Sequence, residues 1–533
     1  MSSMIKYIFN SVKKNLVLFS FYILLSLLSG GLALIIPQLI GGFVDLLTGL
    51  TARENAYQVL TLLFIVWAIQ IALSYVYNIL AVKLHTKTFF NMTAKIIAQA
   101  KRLSIQYFDK DSSAYFAQRI NLDVANLLNF FLNTVLGVIM NVLLATFIIY
   151  VMFGINFFMS IVTLILIPVY IVIHLVMKRP LYKSTLALKE SRDEFFSALN
   201  NQIMHIKNIK INSMIEETDK FLSVKYSPVI TTAVKNAKMK QGYSISELLA
   251  KYFISIVVFI YSLNEIINNR MTVGEFTVLN TYVGMLVANI SGVLTFGKIY
   301  EATSVSYNRL KEIIDGEEMT DGNIALLKIN HMTIENLSFC YDESSDSAAL
   351  YNNLNYTFST GKIYAVTGDN GKGKSTMFLL LLGLIQNYKG RILYNDCDIR
   401  DVNMDVMRKE NIAVVTQDLS FFYEKISENV NIVASEQKKA NEYIKALHLS
   451  KFFNGIDEEV ANLSLGEKQK LIILQALLKD ADVILLDEPN SGLDMQSTNN
   501  LCDILLQEKM NKIIIIITHD KALMNIADER VCI

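Results

Sequence analysis

The residues with the clearest chemical meaning form a stretch rich in glycine and lysine in the last third of the chain. From Gly368 to Ser375 it reads Gly-Asp-Asn-Gly-Lys-Gly-Lys-Ser and fits the pattern G-x-x-x-x-G-K-[ST]. An apolar strand is predicted before this loop and an apolar helix after it, so the loop's N–H groups would surround an anion at a helix N-terminus. Lys374 would reach the β- and γ-phosphates of a nucleotide, and the Ser375 hydroxyl would hold Mg²⁺. The alternative, a surface turn, does not explain this context.

The predicted phosphate site takes in the whole loop and the first helical residues. Its members are Gly368, Asp369, Asn370, Gly371, Lys372, Gly373, Lys374, Ser375 and Thr376.

Two adjacent carboxylates support this interpretation. Asp487 and Glu488 directly follow the apolar run Val483–Leu486, which is typical of a buried strand. Ligands of α/β sheets bind at the carboxyl ends of the strands. Asp487 could therefore orient Mg²⁺, and Glu488 could polarise an attacking water. The alternative is a strand end with two solvated acids.

These residues belong to an α/β domain with a mainly parallel sheet. Short β-branched runs alternate with helical patterns after about residue 316. The predicted strands are Lys328–Ile334, Ile363–Thr367, Asn411–Thr416, Val483–Leu486 and Lys512–Thr518. We place this domain at 317–533, with a polar linker, Asp315–Asn323, at its boundary with the first part of the chain.

The first part of the chain has a different character. Apolar runs close to the ~20 residues that span a bilayer occur six times before about residue 300. They are about Leu16–Leu47, Ala56–Val82, Leu127–Phe153, Phe157–Met177, Leu248–Ile267 and Phe276–Phe296. The connections 83–126 and 178–247 are polar with helical periodicity, so we expect the helices to extend beyond the membrane. The predicted membrane domain is 1–316.

The charges orient these spans. Lys6, Lys13 and Lys14 precede the first span, and both long connections are rich in Lys and Arg, whereas the opposite connections carry little more than Arg53 and Arg270. The positive-inside rule places both termini and both long connections in the cytoplasm.

Composition excludes several other classes. The 533 residues include 49 Lys+Arg and 49 Asp+Glu, so the net charge of +0 argues against a chain-wide nucleic-acid footprint. The 52% hydrophobic residues exclude a disordered chain, and four cysteines are too few for a disulfide scaffold. The first apolar run is too long for a cleaved signal peptide.

Together, the loop and the paired carboxylates resemble the nucleotide-binding domain of an ABC transporter. The resemblance implies that Tyr341 stacks on the adenine of ATP and that Gln417, after a strand, contacts Mg²⁺. Ser491-Gly-Leu-Asp494 resembles the family's D-loop, and His519 the histidine that contacts the γ-phosphate.

The signature motif departs from the family pattern Leu-Ser-Gly-Gly-Gln. Here Leu463 is followed by Ser464, Leu465, Gly466 and Glu467. Ser464 and Gly466 are kept, and the resemblance implies that they reach the γ-phosphate of ATP held by the partner. Leu465 restricts the backbone, and Glu467 places a negative charge near a polyanion.

The membrane half resembles the six-helix domain of exporter-type ABC half-transporters. Leu103–Asp109 with Arg119 and Asp123 resembles its first cytoplasmic loop, and Ile206–Lys210 its second. The implied fold is a six-span membrane α-helical domain followed by an α/β P-loop NTPase domain whose C-terminus is short. The implied location is the cell membrane, with two chains forming one transporter.

The predicted function is ATP-driven export by a dimer that uses ATP and Mg²⁺. A homodimer is favoured over a heterodimer in which this chain is the partly degenerate half. The overall character of the sequence resembles that of exporters of antimicrobial peptides, so a peptide is the predicted cargo. Lipid or multidrug export stays open as an alternative. Polar residues in the spans could face a cavity but more often bond helices together. A third alternative is a membrane-anchored ATP-binding regulator.

Overall fold

The computed structural model describes residues 2–49, 53–108, 113–316, 318–319, 321–341, 349–369, 371–417, 419–431, 437–453 and 458–533. The chain divides into two compact units. The first comprises Met1–Gln99 and Ala114–Asp315, and the second comprises Ala100–Ser113 and Gly316–Ile533. The second unit thus includes a segment of the predicted first cytoplasmic loop. Asp109, the last residue of that loop motif, lies outside the described residues.

The first unit is helical. Its α-helices are α1 (Ser2–Val12), α2 (Leu16–Thr48), α3 (Arg53–Ala100), α4 (Ser113–Asn129), α5 (Leu136–Ile155), α6 (Phe157–Met204), α7 (Ile206–Ile211), α8 (Ile215–Ile267), α9 (Val273–Leu294) and α10 (Phe296–Ile314). One π-helical segment, Phe130–Val135, joins α4 to α5.

Six helical segments of the described chain are long and apolar enough to cross a membrane, as predicted. They are Ser3–Thr48, Asn55–Ala100, Phe116–Ile155, Phe157–Met204, Ile215–Ile267 and Val273–Ile314. Helix α8 has 53 residues. At about 1.5 Å per residue it is much longer than the ~30 Å hydrocarbon layer, so part of it extends beyond the membrane.

Two glycines allow α2 and α9 to approach each other closely. A Cβ atom on Gly274 would lie 2.2 Å from the carbonyl oxygen of Gly41, and one on Gly41 would lie 2.7 Å from that of Gly274. Asp45 stabilises the start of α9, because its carboxylate accepts hydrogen bonds from the Gly274 N–H at 2.7 Å and the Thr272 hydroxyl at 2.8 Å. Small residues here serve close helix packing.

Polar side chains in the spans bond helices to one another. The buried Tyr282 hydroxyl donates to the Leu34 carbonyl at 2.6 Å. Glu247, one residue before the predicted fifth span, accepts hydrogen bonds from Tyr243 at 2.7 Å and Tyr170 at 3.0 Å. The buried His174 lies 2.5 Å from the Tyr243 hydroxyl. The near absence of charge in the predicted spans gave no indication of this cluster.

The second unit contains two sheets. Its strands are β1 (His331–Phe339), β2 (Tyr351–Ser359), β3 (Lys362–Thr367), β4 (Lys389–Tyr394), β5 (Cys397–Asp398), β6 (Ile412–Val415), β7 (Val483–Asp487), β8 (Ile513–Ile517) and β9 (Glu529–Cys532). The larger sheet is parallel, in the order β6-β7-β8-β3-β9. The smaller is antiparallel, in the order β2-β1-β4-β5, and was not predicted.

Helices and apolar clusters cover the parallel sheet on both sides. The helices are α11 (Lys374–Leu381), α12 (Met404–Glu410), α13 (Ile426–Asn431), α14 (Gln437–Ala446), α15 (Leu465–Leu478), α16 (Met495–Glu508) and α17 (Lys521–Ile526). β7 and β8 are buried along their whole length, so the residues that follow them lie at a fixed edge of a rigid sheet.

Candidate nucleotide-binding site

The loop between β3 and α11 has the backbone that phosphate binding requires. Gly371 and Gly373 have φ angles of +82° and +94°, which favour glycine. Gly373 precedes α11 and is packed tightly, since a Cβ there would lie 2.7 Å from Leu350 and 2.8 Å from the Tyr351 hydroxyl. Tyr351, which sequence reasoning missed, donates to the Gly373 carbonyl at 2.5 Å. It fixes the loop where it turns into the helix.

Lys374 is buried inside this loop, with only 8% of the residue exposed. Its amine donates to the Gly368 carbonyl at 2.6 Å and contacts the Asp369 carbonyl at 3.4 Å. It also lies 2.8 Å from Nε2 of His519. The Asp369 carbonyl accepts from the Lys372 N–H at 3.3 Å. The lysine charge is thus held at the centre of the loop.

Ser375 and Asp487 meet beside this lysine. The serine hydroxyl donates to Oδ2 of Asp487 at 2.7 Å. Burial raises the pKa of the Asp487 carboxyl and the neighbouring Glu488 adds to the increase, whereas the bond from Ser375 and the charge of Lys374 oppose it. A buried carboxylate thus lies next to a hydroxyl at the end of a buried strand.

These two oxygens are suited to Mg²⁺, which prefers hard oxygen ligands and is usually bound by one or two protein groups together with phosphates. Among the described residues there is no group of three or more His, Cys, Asp or Glu that could hold a metal ion alone. The Ser375 hydroxyl and the Asp487 carboxylate therefore suit a cation that is bound jointly by the protein and the phosphates of a nucleotide.

Glu488 has an unusual backbone. Its φ is +45°, in the left-handed region that costs a non-glycine residue about 1 kcal/mol or more. The conformation is held by hydrogen bonds from its N–H to the Ile517 carbonyl at 2.9 Å and from the Ser491 N–H to its carbonyl at 3.1 Å. Such strain at the end of a strand is typical of functional positions.

Gln417 and His519 follow neighbouring strands of the same sheet. Gln417 is exposed and comes two residues after β6, which pairs in parallel with β7. His519 comes two residues after β8, where Ile517 pairs with Asp487. The carboxyl ends of parallel strands meet at one edge, so both residues lie on the edge that carries Asp487.

Tyr341 lies beside the first turn of α11. Its hydroxyl is 3.0 Å from the Thr376 hydroxyl, and its ring, 56% exposed, packs edge-on against Phe339. An exposed ring beside the loop is available for stacking on a base. Asn370 lies outside the described residues.

The signature segment differs from the sequence-based expectation. Ser464 is the N-cap residue of α15, and its hydroxyl donates to Oε2 of Glu467 at 2.7 Å. Glu467 also accepts the Ser464 N–H at 2.9 Å, and its own N–H donates to the Ser464 hydroxyl oxygen at 3.4 Å, which completes a capping box. The serine hydroxyl is therefore bonded within its own chain, although Ser464 remains exposed. The spacing S-x-x-E was the signal that sequence reasoning missed.

Glu467 is also not a free negative charge. Lys451 forms an ion pair with its other oxygen, Oε1. The pair with Lys451 and the bond from Ser464 lower the pKa of the Glu467 carboxyl to about 2. The carboxylate stays ionised, but an ammonium neutralises it locally.

Gly466 packs against the D-loop segment. A Cβ there would lie 2.4 Å from the carbonyl oxygen of Gly492. Gln469, fully buried in α15, donates to the Pro489 carbonyl at 3.2 Å, next to Glu488. The start of the signature helix is thereby fixed to the segment that follows β7.

Comparison with known proteins agrees with this arrangement. The chain matches the family model of the ABC transporter transmembrane region over residues 19–290, just over half of its length, and the ABC transporter model over residues 351–491.

Two relatives illustrate the similarity. The ATP-dependent lipid A-core flippase of Haemophilus influenzae is 24% identical over 461 residues, which cover 83% of this chain and 77% of the flippase. The uncharacterized ABC transporter ATP-binding protein YknV of Bacillus subtilis is 24% identical over 528 residues, 94% of this chain and 85% of that protein.

A solved structure shows the same fold. A bacterial Atm1-family ABC exporter with ATP bound superposes with a TM-score of 0.82 at 18% identity, covering 97% of this chain and 93% of that one. The chain therefore belongs to the ABC transporter family, as a multi-pass, exporter-type half-transporter whose fused ATPase is coupled to transport.

Proposed function

We propose that this chain exports an amphipathic cargo from the cytoplasm as a homodimer, with ATP bound between the Lys374 side of one copy and the Ser464 side of the other. The observation that supports it best is the cluster at the carboxyl edge of the parallel sheet. There the Lys374 amine lies 2.8 Å from His519 and the Ser375 hydroxyl 2.7 Å from Asp487. A cation, a histidine and a hydroxyl–carboxylate pair at one edge are what a Mg²⁺-bound triphosphate requires.

Each residue of the cluster has a proposed role. The loop N–H groups and Lys374 bind the β- and γ-phosphates, while Ser375, Asp487 and Gln417 hold Mg²⁺. Glu488 polarises the attacking water, and His519 contacts the γ-phosphate. When bound, Mg²⁺ neutralises charge that develops on the phosphates during transfer.

Closure of the two ATPase domains would drive transport. Binding energy released between the domains draws the cytoplasmic extensions together and favours the outward-open arrangement, and hydrolysis resets it. This scheme requires the termini and both long connections to be cytoplasmic, in agreement with the distribution of Lys and Arg.

Disulfide trapping tests the homodimer. Leu465 is 68% exposed beside the signature serine, and Lys372 is exposed in the phosphate loop. With the four native cysteines replaced, Lys372→Cys and Leu465→Cys are introduced together. We expect a cross-linked dimer whose yield rises with Mg²⁺ and ATP in the Glu488→Gln background. A cross-link that forms only with a different subunit would support the heterodimer, and a yield that ATP does not change would contradict the proposed interface.

The cargo is the finer part of the proposal. A peptide is the cargo predicted from the sequence, and a lipid is a second candidate because the Haemophilus influenzae relative is described as a lipid A-core flippase. Apolar side chains of α6 and α8 line a 520 Å³ groove, which suits either amphiphile better than a small ion.

Transport into inside-out vesicles separates these cargoes. A labelled amphipathic peptide and a fluorescent lipid are supplied with ATP, and Glu488→Gln is the control. Glu488-dependent uptake of the peptide supports the predicted cargo, and Glu488-dependent movement of the lipid supports the second candidate. Movement that is equal in both proteins would contradict transport of that cargo.

A further inference from the structure

A lysine that no sequence motif indicated lies at the signature segment. Lys451 belongs to the short turn Ser450–Phe452, and its amine pairs with Oε1 of Glu467. The amine also lies 4.5 Å from the centre of the Phe452 ring, which is buried and therefore holds its position. The lysine side chain remains 65% exposed, at the surface that carries Ser464.

The two oxygens of Glu467 have different partners. Oε2 accepts from the hydroxyl and the N–H of Ser464, while Oε1 is paired with Lys451. The carboxylate therefore bridges the lysine of the turn and the signature serine. The lysine also cancels the charge that Glu467 brings to a position where the family has a neutral glutamine.

We propose that Lys451 is a positioning residue for the signature motif, which compensates for Glu467 so that Ser464 can bind the γ-phosphate of ATP held by the partner copy. This inference rests on the proposed dimeric ATPase. In that dimer a phosphate oxygen replaces Glu467 as the acceptor for the Ser464 hydroxyl. The exchange is favourable only when the nearby carboxylate is neutralised, because like charges repel.

Removal of the lysine should therefore weaken ATP use, and removal of both charges should restore it. In Lys451→Ala we expect the KM for MgATP to rise at least about fivefold, with a smaller change in kcat, because an uncompensated charge then faces the triphosphate. In Lys451→Ala/Glu467→Gln the KM should return to within about twofold of wild type, and Lys451→Arg should resemble wild type. The increase in Lys451→Ala should shrink as ionic strength rises.

Lys439→Ala is the matched control. Lys439 is another exposed lysine of the same unit, and its pair with Asp480 lies outside the signature segment. Its KM should match wild type. Thermal melting of every variant separates misfolding from a specific effect, because a folding defect lowers the melting temperature, whereas the proposed effect raises KM in a protein that melts like wild type.

The outcomes distinguish this inference from the function on which it rests. A wild type without Glu488-dependent hydrolysis would contradict the homodimeric ATPase and the inference with it. If the wild type does show Glu488-dependent hydrolysis but the KM of Lys451→Ala is unchanged, the inference about Lys451 is overturned and the proposed ATPase function stands. A double variant as impaired as Lys451→Ala would also overturn the inference, since charge compensation would then not be the reason for the effect.

Discussion

The amine of Lys374 lies 2.8 Å from Nε2 of His519, which joins the phosphate loop to the residue that follows β8. An ammonium group can only donate, and an imidazole nitrogen without a hydrogen can accept from it. The two nitrogens are close enough for one phosphate oxygen to contact both. We therefore expect the lysine proposed to bind ATP and the histidine proposed to contact its γ-phosphate to respond to the same group.

Substitution of these two residues should separate binding from hydrolysis. We expect Lys374→Ala to weaken ATP binding at least about tenfold, because it removes the lysine that is buried inside the phosphate loop. His519→Ala should keep most of the binding but hydrolyse ATP at least about tenfold more slowly. Fluorescent-nucleotide titration and phosphate release measure the two effects. Wild-type hydrolysis by His519→Ala would refute the role given to the histidine.

The buried Asp487 predicts a pH dependence of metal binding. The pKa of its carboxyl is raised, so it takes up a proton at a higher pH than an exposed aspartate. Because Mg²⁺ requires the ionised form, its apparent affinity in the presence of nucleotide should fall as the pH is lowered through that raised pKa. Asp487→Asn should bind Mg²⁺ more weakly and lose this dependence. Titration of Mg²⁺-dependent hydrolysis between pH 5 and 8 provides the test, and identical profiles for the two proteins would contradict it.

Gly466 should tolerate no side chain. Its missing Cβ would lie 2.4 Å from the Gly492 carbonyl oxygen, and backbone cannot move aside as a side chain can. We expect Gly466→Ala to destabilise the ATPase unit by about 1–3 kcal/mol and to lower hydrolysis. The adjacent Leu465→Ala removes an exposed side chain and should change stability by less than about 0.5 kcal/mol. Thermal melting compares them, and equal stability would show that this contact is not tight.

Alanine substitutions at two neighbouring glycines of α2 should likewise have different effects on stability. A Cβ on Gly41 would meet the Gly274 carbonyl oxygen at 2.7 Å and Val278 at 2.3 Å, whereas one on Gly42 meets nothing within 4 Å. Gly41→Ala should therefore lower the melting temperature in detergent, and Gly42→Ala should leave it unchanged or raise it slightly. A Gly42→Ala variant as unstable as Gly41→Ala would place the helix contact elsewhere.

The four cysteines should label at different rates. Cys532 is exposed, whereas Cys502 is buried in α16, and burial raises the pKa of its thiol to about 11. Because the thiolate is the reactive form, Cys502 should react with a maleimide at pH 7.5 at least about a hundredfold more slowly than Cys532. Mass spectrometry after timed labelling measures both, and Cys502 should become reactive when the protein unfolds. Rapid labelling in the folded protein would contradict the packing of α16.

Much of the fold follows from local patterns. Strands such as β7 and β8 are continuous apolar runs, and the glycines around Lys374 specify a turn that few other residues can form. The antiparallel sheet was missed because β2, Tyr351–Ser359, mixes polar and apolar residues and is fully buried only at Tyr351 and Phe358. Whether such a segment forms a strand depends on the strands beside it more than on its own sequence.

The partners of the polar side chains could not be predicted from the sequence, because they depend on the tertiary structure. Glu467 was predicted as a negative charge, but its partner Lys451 is distant enough in the chain that no spacing rule connects them. The hydrogen bonds between Tyr170, Tyr243 and Glu247 join two long helices that the sequence could locate but not align. The sequence shows which residues are polar or charged. Which of them pair with each other depends on how the helices and strands pack together.

The ATPase rate of this chain alone, reconstituted in lipid and measured beside Glu488→Gln, tests the central claim most directly. The mutant is essential because a contaminating ATPase would be unaffected by it. The account predicts steady Mg²⁺-dependent hydrolysis by the wild type and a rate at least about a hundredfold lower in the mutant, which should still bind ATP. Equal rates in the two proteins, or a wild type that binds ATP without hydrolysing it, would contradict a self-sufficient homodimer in which Glu488 activates water.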